Sequence, residues 1–293
     1  MKEFGLLVVD KPVGPTSHRV VSVVRQGTGV RKVGHAGTLD PRASGVLVLC
    51  LGAATRLSEF LSTSTKGYAA VVRFGTATRT YDGDGEVIRH TGAAPDRGEV
   101  EALLPQFTGT LEQVPPPFSA IKISGRKAYE LARRGEDVEL GPRRVTINLL
   151  EIVSYEPPDL TMQIECSAGT YIRSLAHDLG ERLSCGAHLW ALRRTRAGPF
   201  TLEQAVPLTR LEAGFGDGSW EAHLRPATDA LRGMPKVPIG LEALERVRNG
   251  HPIPASGGAA GLAAGVGPDG ELVAILEGKS DGLLWHPRKV FLT

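Results

Sequence analysis

Within Gly34-His35-Ala36-Gly37-Thr38-Leu39-Asp40-Pro41-Arg42-Ala43-Ser44-Gly45, an imidazole and a carboxylate lie close together among three glycines. Glycine lets a backbone turn tightly or come close to a ligand. Pro41 restricts Asp40 to extended conformations and so narrows the positions that carboxylate can take. One reading is a functional carboxylate. The other is a helix start with Asp40 as N-cap and Pro41 at the first helical position, although Gly45 and the run Val46-Leu47-Val48-Leu49 make the next stretch strand-like. The residues alone leave both readings open.

Other constellations are weaker. Cys185 and His188 have a plausible spacing for two metal ligands, but no second pair lies nearby in sequence to complete a zinc site, so no metal is expected. Asp82-Gly83-Asp84-Gly85 resembles the opening of a calcium loop without its later ligands, and reads as a turn. There is no G-x-x-x-x-G-K-[ST], and Gly27-Thr28-Gly29 lacks the third glycine of a dinucleotide fingerprint, so no nucleotide cofactor is implied. The absence of a G-x-S-x-G elbow argues against acyl transfer by serine.

Positioning such residues requires a folded scaffold, and the composition supplies one. The 293 residues are 41% hydrophobic and 23% charged, which excludes disorder and collagen and suggests about two folded units. No apolar run is long enough to cross a bilayer, and Asp10 and Lys11 follow the first short apolar stretch too soon for a signal peptide. Cys50, Cys166 and Cys185, odd in number and widely spaced, read as small core residues of a cytoplasmic protein. Lys plus Arg total 34 against 32 for Asp plus Glu, too small an excess to indicate nucleic acid by itself. Distribution says more. Lys122, Arg126, Lys127, Arg133, Arg134, Arg143 and Arg144 form one basic group, and Arg193, Arg194 and Arg196 another. Either is a ligand surface or a solvated face.

Strands are expected at Gly5 to Val9, Gly45 to Leu51, Tyr68 to Phe74, Val145 to Val153 and Leu160 to Cys166. Helices are expected at Ser17 to Gln26, Glu99 to Leu104, Lys127 to Arg134 and Thr170 to Leu183. In the last of these, Ile172, Leu175, Ala176, Leu179 and Leu183 share one face. Helices and strands do not alternate strictly, and Asp82 to Gly85 sits where a hairpin turn would. The pattern predicts an α+β fold with a mixed, largely antiparallel sheet. A boundary near Gly233 to Pro238 divides residues 1–235 from a small β-rich unit, 236–293. That unit should hold a helix at Leu241 to Arg248, a Gly/Ala-rich loop from Ala255 to Gly267, a hairpin at Pro268-Asp269-Gly270 leading into Glu271 to Leu276, and a last strand at Val290 to Leu292.

Six ordered segments then resemble the TruB family, the bacterial tRNA pseudouridine-55 synthases. They are LLVVDKPVGP from Leu6, the Gly34 to Gly45 segment, Lys66-Gly67-Tyr68, PPPFSAIKISGRKAYEL from Pro115, and the pair CSAGTYIR from Cys166 and CGAHLWALRR from Cys185. The tail from 236 is only similar, by position and hairpin pattern, to the RNA-binding PUA domain such enzymes carry. The resemblance implies an isomerase that breaks the C1′–N1 bond of a T-loop uridine, turns the uracil and forms a C1′–C5 bond. It implies no cofactor, no guide RNA and no obligatory protein partner, and the tRNA T-arm as substrate.

The resemblance also assigns roles. Asp40 becomes the essential carboxylate, acting on ribose, base or a proton. Tyr68 stacks on the uracil and assists proton removal from C5. His35 helps extract the target nucleotide, because a stacked base hides its glycosidic bond. Lys11, Tyr171 and Leu192 match positions that shape the pocket, with Lys11 also grouped among RNA-binding candidates beside Lys122, Arg126 and Arg144. Arg173 falls in the first turn of the expected helix, where a cation is disfavoured by roughly 0.3 to 1 kcal/mol. That placement makes sense opposite a carboxylate, and the resemblance supplies Asp40, 133 positions away, gripped by a two-point guanidinium fork. Two rival functions remain: a glycosidase drawing a second carboxylate from Asp82 or Asp84, and a non-catalytic RNA-binding or RNA-folding protein.

Overall fold

The computed structural model describes residues 4–123, 125–136, 138–255, 257–279 and 282–291. The chain opens with β1 (Gly5–Lys11), α1 (Ser17–Thr28), β2 (Val33–His35) and β3 (Ala43–Leu51). Helix α1 starts where Thr16 Oγ1 accepts the Arg19 N–H at 3.0 Å, and it ends at Gly29 in the left-handed region. Its buried stripe is Val20, Val21 and Val24. No helix follows Asp40. The Ala43 N–H bonds back to the Asp40 carbonyl at 3.0 Å, a tight turn straight into β3, so the N-cap reading falls.

After α2 (Ser58–Ser62) come β4 (Lys66–Phe74) and the hairpin β5 (Thr76–Thr78) and β6 (Val87–His90), with Asp82 to Gly85 in its loop as expected. Then come α3 (Arg97–Leu103), β7 (Gly109–Gln113), the hairpin β8 (Lys122–Ile123) and β9 (Arg126–Lys127), and α4 (Ala128–Ala132). That last helix is shorter than the expected Lys127 to Arg134, because Arg126 and Lys127 pair back onto Ile123 and Lys122. Next are β10 (Arg143–Glu156), β11 (Asp159–Cys166), α5 (Ile172–Arg182), β12 (Ala187–Ala197), β13 (Phe200–Thr201), β14 (Val206–Pro207) and α6 (Leu208–Ala213).

These strands make a ten-stranded sheet ordered β14-β1-β3-β12-β4-β11-β10-β7, with β2 on β3 and β13 on β12. Among the described residues of this sheet, only β1–β14 and β3–β12 run parallel, so the mixed, largely antiparallel α+β expectation holds. Strand β12 is the seam. It lies between β3, which leads out of the Asp40 turn, and β4, which carries Tyr68. Helix α5 packs Ile172, Leu175, Ala176 and Leu179 into one core with Val72, Phe74, Leu160, Met162 and Ile164. Cys50, Cys166 and Cys185 are buried free thiols, as the core reading has it.

A five-stranded sheet completes the chain, built from β15 (Lys236–Pro238), α7 (Leu241–Arg248), β16 (Ile253–Pro254), β17 (Gly261–Val266), β18 (Leu272–Gly278) and β19 (Leu284–Val290), in the order β15-β17-β18-β19-β16. Two expectations change. The Gly/Ala-rich stretch contains strand β17, because pairing with β15 and β18 buries Ala263 and Ala264. The last strand ends at Val290 instead of beginning there; Leu292 lies outside the described residues. This sheet is not free-standing. Ala264, Leu272, Ile275 and Phe291 share a core with Leu6, Val8, Val48, Ala230 and Leu231, and Phe4 stacks on Phe291 with centroids 5.6 Å apart.

Candidate active site

The Asp40 turn is held from beneath by two buried cations. The Lys11 ammonium donates to the carbonyls of Pro12 (2.8 Å), Pro15 (2.9 Å) and Pro41 (3.4 Å), and the residue is fully buried. Burial, the dominant influence, pushes Lys11 down to about 8, with Asp40 opposing the shift. The ammonium is thus engaged by backbone carbonyls beneath the turn and is not placed to meet a phosphate. Arg194 donates to the carbonyls of Val46 (2.7 Å), Thr38 (3.2 Å) and Gly37 (3.1 Å), clasping the segment on either side of Asp40. It is 1% exposed.

The second basic group is accordingly no open cationic face. Arg193 pairs with Asp10 at 2.8 Å and Arg196 with Glu165 at 2.8 Å. Parallel register puts Arg194 against Gly45, whose positive φ of 103° and 2.2 Å clearance between a notional Cβ and the Arg194 carbonyl leave no room for a side chain.

Asp40 and Arg173 meet: Nε lies 3.0 Å from Oδ2, with 43% of the Asp40 side chain exposed against 8% of Arg173. The grip differs from a two-point fork. Arg173 Nη1 donates to the Thr80 carbonyl at 3.1 Å and lies 3.7 Å from Asp82 Oδ2, and Nη2 donates to the Phe118 carbonyl at 3.0 Å. One guanidinium thus joins the Asp40 turn, the β5–β6 loop and the segment leading into the basic hairpin. Asp82, read first as a turn residue and otherwise as a rival glycosidase carboxylate, lines the same pocket as Asp40, with Arg42, Ala43, Arg173, Leu189, Trp190, Ala191 and Leu192. Asp84 instead points to Arg42 at 2.5 Å.

Tyr68 sits on β4 facing the core, with its hydroxyl toward Arg194, and burial pushes its phenol up. The neutral phenol is therefore the resting form. His35 ends β2, half-buried, with Nδ1 buried and without a hydrogen-bond partner among the described residues. Burial and then Arg194 push the imidazole down, favouring the neutral ring. Tyr171 precedes α5, fixed by its N–H to Gln113 Oε1 (2.8 Å) and its carbonyl to Gln113 Nε2 (3.0 Å). Leu192 packs into the cores on both flanks of the seam. Lys122 and Arg126 are exposed on the β8–β9 hairpin, and Arg144 is exposed at the start of β10 opposite Glu112. The two residues with metal-ligand spacing are otherwise engaged: His188 Nδ1 lies 2.8 Å from the Thr76 carbonyl, and Cys185 Sγ is directed at the Gly180 carbonyl.

Sequence reasoning reached Asp82 only as a turn residue or a rival glycosidase carboxylate, and it missed Arg194 and Lys66 as site residues. Glycine neighbours made Asp82 read first as a turn, and Arg194 was masked by its basic neighbours. Lys66 sits inside a quoted motif, yet nothing local says that its ammonium is buried on the Leu61 and Ser64 carbonyls.

A carboxylate turn thus lies at the seam of a mixed sheet, answered by a buried arginine from a helix start. Residues 25–172 match the family model described as TruB family pseudouridylate synthase (N terminal domain), and residues 173–232 match tRNA pseudouridylate synthase B C-terminal domain. The chain belongs to the TruB family of pseudouridylate synthases. Among similar proteins, tRNA pseudouridine synthase B of Symbiobacterium thermophilum is 48% identical over 250 residues, 84% of this chain and 82% of the relative. The protein of the same name from Dinoroseobacter shibae is 42% identical over 290 residues, 98% of this chain and 95% of its own. A solved Cbf5-Nop10-Gar1 complex contains a chain with TM-score 0.77 and 30% identity, covering 99% of this chain and 85% of that one. An H/ACA RNP bound to a substrate RNA containing 2'-deoxyuridine gives 0.76 and 28%, covering 99% and 86%.

Proposed function

We propose that this chain converts uridine to pseudouridine at position 55 in the T loop of tRNA, working in the cytoplasm without guide RNA, protein partner or cofactor. Family membership and relatives named for tRNA support the substrate class. The observation that carries the chemistry is the half-open Asp40 carboxylate held at 3.0 Å by a buried arginine. The reaction is an isomerisation: C1′–N1 breaks, uracil rotates, C1′–C5 forms, and the proton lost from C5 is balanced by one gained at N1. It needs no external oxidant or reductant. Asp40 acts on ribose, base or proton while Arg173 orients and neutralises it. Tyr68, protonated at rest, stacks on the base and takes part in proton removal through its hydroxyl. A neutral His35 ring occupies the space of the extracted nucleotide. Lys122, Arg126 and Arg144 neutralise phosphates, and residues 236–293 form a PUA-like RNA-binding unit.

Asp40→Asn keeps the shape and removes the nucleophile and base. Turnover of unmodified tRNA, scored as mass-neutral conversion at one mapped position, should vanish while tRNA affinity stays within several-fold of wild type. Residual turnover above roughly a few per cent would take Asp40 out of the reaction. Release of free uracil would favour the glycosidase reading, for which Asp82 in the same pocket offers the second carboxylate.

A further inference from the structure

Trp190 lies on the pocket wall, and the reaction proposed for Asp40 does not use it. It is the extra residue of a β-bulge: Leu189 pairs with Val72 and Ala191 with Val71, leaving Trp190 between them without a partner on β4. Bulges re-aim a side chain and are concentrated beside active sites. The result is a tryptophan 40% exposed at the rim, whereas Trp220 and Trp285 are 5% and 6% exposed.

Its surroundings fix the ring. The Arg73 guanidinium carbon lies 3.6 Å from the ring centroid, and Arg73 is itself held by Asp159 through two bonds of 2.7 Å. Arg42, two residues beyond Asp40, lies 5.5 Å from the centroid, donates to the Trp190 carbonyl at 3.4 Å and pairs with Asp84. His188 meets the ring edge-on at 6.1 Å. Both guanidiniums are thus matched by carboxylates. The subsite offers a braced aromatic surface with little net charge, which suits a nucleobase better than a phosphate.

We infer that Trp190 is a stacking platform for the base of a nucleotide adjoining the target uridine in the RNA chain. The inference rests on the RNA-modifying function proposed for this chain. It assigns Trp190 to substrate binding, with Arg42 and Arg73 as positioning residues. Once the target base enters the pocket beside Asp40, its neighbour loses a stacking partner, and Trp190 on the same rim replaces it.

The test uses the full chain and a T-arm stem-loop RNA. Trp190→Leu keeps apolar bulk and loses the π face; Trp190→Phe keeps the face. The Leu variant should raise KM about 5- to 100-fold, as expected for one lost base–aromatic stack, and leave kcat within about threefold, with Phe recovering most of the loss. RNA carrying an abasic residue next to the target should bind wild type and Trp190→Leu equally at one flanking position. Binding should also quench wild-type tryptophan emission, and the quench should disappear in both variants because the other two tryptophans are buried. Leu and Phe variants behaving alike, kcat falling at constant KM, or an abasic penalty of equal size in both proteins at every flanking position would each overturn the platform. Pseudouridine formation by wild type is measured in parallel. Its absence would count against the proposed reaction, while the fluorescence and abasic readouts need only binding and still decide the stacking.

Discussion

Arg173 shows why side-chain identity at this site goes beyond charge. Its nitrogens serve Asp40, the Thr80 carbonyl and the Phe118 carbonyl, and its side chain is nearly buried. Lysine offers one nitrogen. It can reach the carboxylate or a carbonyl, leaving the others without their donor in a place where each unsatisfied group costs about 1 to 3 kcal/mol. Arg173→Lys should therefore slow single-turnover conversion of prebound tRNA by roughly 10- to 100-fold and lower the urea midpoint together with it. A lysine variant with wild-type rate would mean that charge alone suffices. That Arg173 needs an anion was legible in the sequence, because a cation at a helix start is disfavoured; that the anion is Asp40 came from the family resemblance. The division of the guanidinium among three elements was not legible, since backbone carbonyls at 80 and 118 leave no mark on residue type.

At the level of elements, the parallel contact of β3 with β12 governs the site, and Gly45 permits it. A methyl there would meet the Arg194 carbonyl at 2.2 Å in a backbone conformation unfavourable to other residues. Gly45→Ala should cost about 2 kcal/mol or more, read as a lower urea midpoint. It should reduce turnover beyond the loss of folded protein, because Arg194 would lose its hold on the Gly37 and Thr38 carbonyls. An unchanged midpoint would show that β3 and β12 can part without consequence. Elements with strong patterns were readable: α5 declared its buried stripe, and β1, β3, β4, β10 and β11 declared theirs. Strand β17 was hidden because alanine and glycine have little β preference of their own and the strand exists through its neighbours. The bulge at Trp190 was equally invisible, as register belongs to the pair of strands and not to either sequence.

For the whole molecule, buried ionisable groups set the response to pH. Burial pushes Lys11 and Lys66 down from 10.5 to about 8. Above that pH the folded protein has released protons that the unfolded chain still holds, so these two groups make stability rise with pH. Burial pushes Cys50 up from 9.0 to about 12 and Cys166 to about 11. Above about pH 9 the unfolded chain releases thiol protons that the folded protein keeps, and stability falls. Tyr68, Tyr81, Tyr155 and Tyr171, all raised by burial, act in the same sense at higher pH. The urea midpoint, measured under reducing conditions, should pass through a maximum near about pH 9, and Lys66→Met should flatten its rising side. A steady decline from about pH 8 would contradict these assignments. The shared core of the two sheets makes the midpoint a property of the entire chain, with Phe291 and Ile275 packed among Leu6 and Val48.

The place of β12 has a further consequence, for the order in which a ribosome delivers the chain. The strands made first form two separate patches: β1 with β2 and β3, and β4 with β11, β10 and β7. Among the described residues, no strand made before β12 pairs one patch with the other. Residues 187–197 insert between β3 and β4, bringing Arg194 beneath the Asp40 turn and Trp190 to its rim. A nascent chain that stops short of this strand holds Asp40, Tyr68 and Arg173 on patches with open inner edges, and closing them is a long-range, entropically costly step. The two patches thus become one sheet only through a strand made late in the chain, and that same strand brings Arg194 to the Asp40 turn.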